Sequence, residues 1–172
     1  MDGVFTPTQA GGQLNWVTWR ERSTAPRGVV DDGGVVSWRD PAGEFTQFDE
    51  LAQFCKLNLL TYWSGVVDQW QAALDTGRLT DDEVDTYSVV WTVLGPARLV
   101  VTIETGEVIS KTASGQFAGE RWPEYSSLIE RAMRSRSGHW ESFDVKDARG
   151  VVALTRRVVE AGQSALPFKS RA

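Results

Sequence analysis

The sequence predicts an α+β fold, with antiparallel hairpins packed against about four helices. Two pairs of short apolar stretches are joined by tight-turn residues, and four longer stretches carry apolar residues at helical spacing. The order of these elements requires no parallel crossover. A chain of 172 residues with 41% apolar residues has room for one core, so we assign residues 1–172 to a single domain. We expect loosely ordered ends at 1–13 and 167–172.

The first predicted strands precede residue 48. Residues 14–20 have the composition of a strand, and residues 21–34, rich in Gly, Pro and Asp, are typical of a loop. Residues 35–39 and 44–47 then form the two arms of a hairpin. Asp, Pro and Gly at positions 40, 41 and 43 between the arms favour a type I turn.

Two helices are predicted next. Apolar residues from Phe48 to Leu74 recur at steps of one, three or four, which is the spacing of one helix face, and Gly77 provides a stop. Residues 80–83 read Thr-Asp-Asp-Glu, the pattern of a capping box. This pattern predicts a second helix over about 81–94.

A second hairpin is predicted after this helix. Residues 98–104 alternate apolar and polar side chains, which indicates a half-buried strand, and residues 107–112 form the returning strand. Thr105 and Gly106 between them are suited to a tight turn.

The remaining chain predicts two helices and a short strand. Pro123 is suited to the first turn of a helix over 123–136, because proline donates no amide there. Residues 139–145 alternate and predict an edge strand. Asp147 is the predicted cap of the last helix, which ends at Gly162.

The sequence contains few residues suited to familiar catalytic sites. His139 is the only histidine and Cys55 the only cysteine, too few for a zinc site or a histidine-based triad with support nearby. No glycine-rich phosphate loop is present. We therefore predict no catalytic residues, no metal and no cofactor, while chemistry by carboxylates alone stays open. Cys55 lies on the apolar face of the long helix, where we expect a buried, inert thiol.

Composition also predicts where the protein acts. A single cysteine cannot form an internal disulfide, which fits a reducing compartment. The N-terminus lacks the pattern of a signal peptide, and no apolar run approaches the roughly 20 residues that span a bilayer. We therefore expect a cytoplasmic protein without a membrane partner. The isoelectric point near 4.9 also disfavours nucleic acid as a partner.

Charge is unevenly distributed. Residues 49–85 carry eight acids and two bases, whereas residues 109–172 carry eleven bases and seven acids. Such asymmetry can steer binding partners. The residues predicted to contact a partner are three acids, two arginines and one aromatic: Asp81, Asp82, Asp85, Arg131, Arg134 and Trp122.

These observations predict a non-enzymatic acidic domain that binds another protein, as immunity and antitoxin proteins neutralise a basic partner. Eight tryptophans are many for a chain of this size, which favours a well-filled core and leaves one or two of them available as interface anchors. Copies of the chain are the other expected partner. Two alternatives stay open: a structural or assembly subunit of a phage-type particle, and a carboxylate-based enzyme or small-ligand-binding domain.

Overall fold

Helices form almost all of the structure. A computed structural model describes residues 29–31, 34–36, 48–80 and 84–168. Apart from one short hairpin, the elements in these residues are helical. In chain order they are β1 (Val29–Asp31), β2 (Gly34–Val36), α1 (Phe48–Asn58), a π-helical turn (Leu59–Trp63), α2 (Ser64–Asp75), α3 (Thr86–Leu94), α4 (Ala97–Thr105), α5 (Lys111–Arg121), a 3-10 turn (Pro123–Tyr125), α6 (Ser126–Arg136) and α7 (Val145–Ser164).

The predicted α+β fold is wrong, and the second hairpin is the largest error. Residues 98–104 belong to helix α4, and residues 111 and 112 begin helix α5. Six of the nine residues of helix α4 are buried. Its polar residues 98, 102 and 105 recur at steps of four and three, a helical spacing that the alternation of Leu99, Val101 and Ile103 obscured. Gly106 adopts a φ of 74° and ends α4 in the left-handed conformation. Glycine serves equally well in a helix end and in a hairpin turn, which is why the two were confused.

The first hairpin forms at a different place from the one predicted. Strand β2 pairs antiparallel with β1, with Val29 opposite Val36 and Val30 opposite Val35. Strand β1 therefore lies in the segment that was predicted as a loop. The predicted strand 14–20 and the predicted return strand 44–47 lie outside the described residues.

Helical predictions with a clear apolar period are confirmed. The chain is continuously helical from Phe48 to Asp75, and Pro123 opens the turn that leads into α6. The predicted edge strand 139–145 is wrong, because these residues form a loop that ends where α7 begins. Helix α7 starts earlier than predicted and is capped by Asp144. The Asp144 carboxylate accepts from the Asp147 amide at 2.8 Å, and the Asp147 carboxylate accepts from the Asp144 amide at 3.0 Å.

Helix α3 begins later than predicted. Asp85 is its cap, since its carboxylate accepts a hydrogen bond from the Ser88 amide at 2.7 Å. Residues 81–83 of the predicted capping box lie outside the described residues. The sequence therefore located the helix correctly but placed its start about five residues too early.

The centre of the molecule is the apolar pair α3 and α4. Thr86–Thr105 is long and apolar enough to cross a membrane by length and composition, contrary to the sequence prediction, but 67% of it is buried inside the fold. Helix α3 packs against α6 and α7, and α4 packs against α1 and α5. The apolar character of this stretch is accounted for by its place in the core.

Candidate functional site

A row of aromatic rings lies where the π-helical turn meets α3. The rings of Trp63 and Trp91 are stacked with centroids 6.2 Å apart, and those of Trp91 and Tyr87 are stacked 6.3 Å apart. Tyr62 meets Trp63 edge-on at 5.2 Å. We call these four residues the aromatic row. Its inner member, Trp63, is 5% exposed, whereas Trp91 is 36% and Tyr87 71% exposed, so ring surface is open to a ligand at the outer end.

The spacing of residues on α3 builds the outer part of the row. Tyr87 and Trp91 are four residues apart, so their side chains lie on the same face of the helix. Asp85 caps the helix directly before them. The carboxyl pKa of Asp85 is lowered, chiefly by hydrogen bonds from Ser88 and also by the Tyr87 amide, so this end of the row carries a negative charge at neutral pH.

Lys111 covers Trp91 from the neighbouring helix. It is the first residue of α5, which is capped by Ser110, and its Nζ lies 3.9 Å from the centroid of the Trp91 ring. This is cation–π geometry. Burial, followed by the positive charges of Arg136 and Arg98, lowers the pKa of Lys111 to about 8. We call Lys111, Arg98 and Arg136 the cationic cluster.

Two members of the cationic cluster, Lys111 and Arg136, have no ion pair among the described residues. Arg98 is held in place by a hydrogen bond from its Nε to the carbonyl of Ile109 at 2.7 Å, and burial together with Arg136 lowers its pKa. The charges of Arg136 and Arg98 act on the half-buried ammonium of Lys111, so an anion near Lys111 would be favoured.

Arg131 and Arg134, predicted to contact a partner, are engaged within the chain. The two terminal nitrogens of the Arg131 guanidinium, Nη1 and Nη2, donate to the Asp147 carboxylate at 2.8 and 3.0 Å, and these bonds raise the Arg131 pKa. Arg134 Nε donates to Glu141 at 2.7 Å. These contacts join α6 to the start of α7 and to the loop before it. Their assignment to a contact surface stays a prediction.

The other predicted contact residues differ in where they lie. Trp122 is only 8% exposed and packs edge-on against Phe117 at 6.1 Å. Asp81 and Asp82 lie outside the described residues. Asp85 is thus the predicted residue that lies beside the aromatic row. Trp91 and Lys111 were not predicted as site residues. Trp91 lies in the predicted helix 81–94, and Lys111 lies in the predicted strand 107–112.

The described residues show no metal site of the usual kind. Across 48–80 and 84–168, no three His, Cys, Asp or Glu side chains come close enough together to hold a metal ion. Cys55 is fully buried, and burial raises the pKa of its thiol to about 12. The prediction of a buried, inert thiol is confirmed.

Comparison with known protein families gives a match over more than half of the chain. The family model described as "aminoglycoside adenylyltransferase, C-terminal domain" matches residues 62–161. The match extends from the π-helical turn to the last part of α7, and it includes every residue of the aromatic row and of the cationic cluster. No curated protein and no solved structure matched the chain.

Proposed function

Since this chain belongs to the family of the aminoglycoside adenylyltransferase C-terminal domain, we propose that its helices bind the ligands of an adenylyl transfer. One ligand is a nucleoside triphosphate, which is a polyanion. The other is an amino sugar, which carries several ammonium groups. The aromatic row has a negative charge beside it at Asp85, and Lys111 of the cationic cluster covers Trp91, so the row offers a suitable charge to each ligand.

The family match corrects the functional prediction from the sequence. A non-enzymatic immunity or antitoxin-like domain is wrong, because the matched family is named for an enzyme. For the same reason the phage structural subunit is not supported. The alternative of an enzyme or small-ligand-binding domain agrees better with the match.

The reaction explains why charge matters at this site. In adenylyl transfer a hydroxyl oxygen of the acceptor bonds to the α-phosphorus, the bond to the β-phosphate oxygen breaks, and pyrophosphate leaves. Stabilising negative charge on the phosphates favours this displacement. We assign this domain a binding role in that reaction.

Lys111 carries the proposal for the nucleotide. Its ammonium is half-buried between the Trp91 ring and two guanidinium groups, and no carboxylate among the described residues is paired with it. A phosphate oxygen bound there would provide the missing counter-charge and would favour the charged form of the lysine.

The outer end of the aromatic row suits the amino sugar, which accepts the adenylyl group. Sugar rings present C–H groups that pack on aromatic faces, and Tyr87, the most exposed ring of the row, offers such a surface. Ammonium groups need carboxylate acceptors, and Asp85 lies about 9 Å from Trp91 along the axis of α3, a distance that one or two sugar rings would span. Asp81 and Asp82 precede it in the chain and are proposed to add to this negative charge.

Calorimetric titration with ATP tests the nucleotide part of the proposal. Lys111→Met removes the charge and keeps a side chain of similar length, and we expect ATP to bind about tenfold more weakly or worse, because one charge-assisted contact to phosphate is lost. Lys146→Met, at an exposed position of α7, is the matched control and should bind ATP like the unaltered protein. Equal ATP affinity of all three proteins contradicts the assignment.

A further inference from the structure

A π-helical turn interrupts the long first helix beside the aromatic row. The Ser64 amide donates to the carbonyl of Leu59, five residues back, and the Ser64 hydroxyl donates to the same carbonyl at 3.2 Å. Such turns insert one extra residue into a helix and often occur at functional sites. Here the turn ends on Trp63, the inner member of the aromatic row.

The two buried residues of this turn each pack against a glycine. Leu59 packs against Gly162 of α7, where an added Cβ would overlap the Leu59 side chain. Trp63 packs against Gly95, where an added Cβ would lie 2.5 Å from Cη2 and 2.7 Å from Cζ2 of the indole. Gly95 has an ordinary φ of −79°, so glycine is required at 95 for space and not for backbone conformation.

Gly95 also touches the residue that Lys111 covers. Its amide donates to the carbonyl of Trp91 at 3.0 Å, where α3 ends. The Trp63 ring lies against Gly95 on one side and is stacked with the Trp91 ring at an interplanar angle of 30°. A shift of this large, buried indole would therefore displace Trp91, and with it the ring under Lys111.

We propose that Trp63, seated against Gly95, is a positioning residue that fixes the orientation of Trp91 and thereby holds Lys111 in the cationic cluster. This inference depends on the proposed function only for the identity of the ligand. The packing of Trp63, Gly95 and Trp91 and its effect on Lys111 are independent of any ligand.

The test compares two glycine variants of the whole chain. Gly95→Ala crowds both Trp63 and the backbone carbonyl of Trp91, so the effect of the indole alone is read from Trp63→Phe. Gly162→Ala crowds Leu59 in the same π-helical turn and serves as the control for general destabilisation. The pKa of Lys111 is measured by NMR of the lysine side chains, of which the chain has four. The affinity for ATP is measured by calorimetry under conditions in which each variant is folded.

In Gly95→Ala we expect the Lys111 pKa to move from about 8 toward its ordinary value by about one unit, and ATP binding to weaken about tenfold. Gly162→Ala should lose thermal stability while it keeps both values. Trp63→Phe, which lacks the outer ring of the indole, is the second variant. It should move the Lys111 pKa even if Gly95→Ala fails to fold.

An unchanged Lys111 pKa in both Gly95→Ala and Trp63→Phe overturns the inference, as does an equal change in Gly162→Ala. If the unaltered protein fails to bind ATP but Gly95→Ala still moves the Lys111 pKa, the nucleotide proposal fails and the positioning role stands. If the unaltered protein binds ATP and Gly95→Ala changes neither quantity, the positioning role fails and the nucleotide proposal stands.

Discussion

The fold disfavours the charged form of the Lys111 side chain. Burial and two neighbouring guanidinium groups lower its pKa from 10.5 to about 8, so the folded chain binds this proton less readily than the unfolded chain. Between those two pH values the unfolded state carries more protons, and the contribution of Lys111 to the free energy of unfolding therefore rises with pH. A residue that is retained at such a cost fits a role in ligand binding.

At Asp85, a substitution can remove the negative charge while it preserves the helix cap. Asparagine caps a helix about as well as aspartate, so Asp85→Asn should keep α3 intact and leave the melting temperature within about 2 °C of the unaltered value. We expect binding of neomycin, used as a polycationic probe, to weaken several-fold, because a carboxylate acceptor is lost. Unchanged neomycin affinity in fluorescence or calorimetric titration would remove Asp85 from the acceptor site.

Individual residues were predictable from the sequence when their environment is local. The buried Cys55 followed from the apolar period of its own helix, whereas Asp85 was predicted as one acid of the acidic segment and not as the cap of α3. Trp91 and Lys111 were not predictable as a pair, because they are twenty residues apart and meet only through the packing of α3 against α5. The spacing of Tyr87 and Trp91 was the one local indication of the site.

Helices α6 and α7 are joined by ion pairs instead of an exposed basic surface. Arg131 bonds Asp147 through two nitrogens, and its guanidinium also lies 4.7 Å from the centroid of the Phe143 ring. Asp147 in turn completes the capping box of α7. The basic residues of α6 therefore contribute to the packing of the helices that support Arg136 of the cationic cluster.

Removing this connection should reduce stability. We expect Arg131→Met to lower the free energy of unfolding by about 1–2 kcal/mol, because a bidentate, charge-assisted contact is lost and Asp147 is left without its cation. Arg156→Met, at an exposed position of α7, is the control and should change it by less than about 0.5 kcal/mol. Urea unfolding measures both values, and similar losses in the two variants would show that the ion pair is not stabilising.

Helix α4 shows why the fold class was misjudged. Its β-branched residues and apparent alternation favour a strand when they are considered alone. In the fold most of its residues are buried, yet its polar residues 98, 102 and 105 recur at helical spacing. Helices α6 and α7 were predicted correctly because no strand-like alternation competes with their helical period.

The fold shows where the acidic and basic segments of the chain come close together. The sequence separates an acidic segment, 49–85, from a basic one, 109–172. Asp85 ends the acidic segment and Lys111 lies near the start of the basic one. The packing of α3 against α5 places Lys111 over Trp91, one helical turn from Tyr87 and the Asp85 cap. The charge asymmetry could be predicted from the sequence. The place where residues of the two segments come close together depends on tertiary packing and could not.

The central claim, that the cationic cluster receives the phosphates of a nucleotide, is tested most directly on Lys111 itself. The pKa of the Lys111 side chain is measured by NMR with and without saturating ATP. We expect a rise from about 8 toward 10.5 when ATP binds, since a phosphate oxygen stabilises the charged form, with Lys146 unchanged as the internal control. A Lys111 pKa that stays near 8 in the presence of saturating ATP would contradict the account.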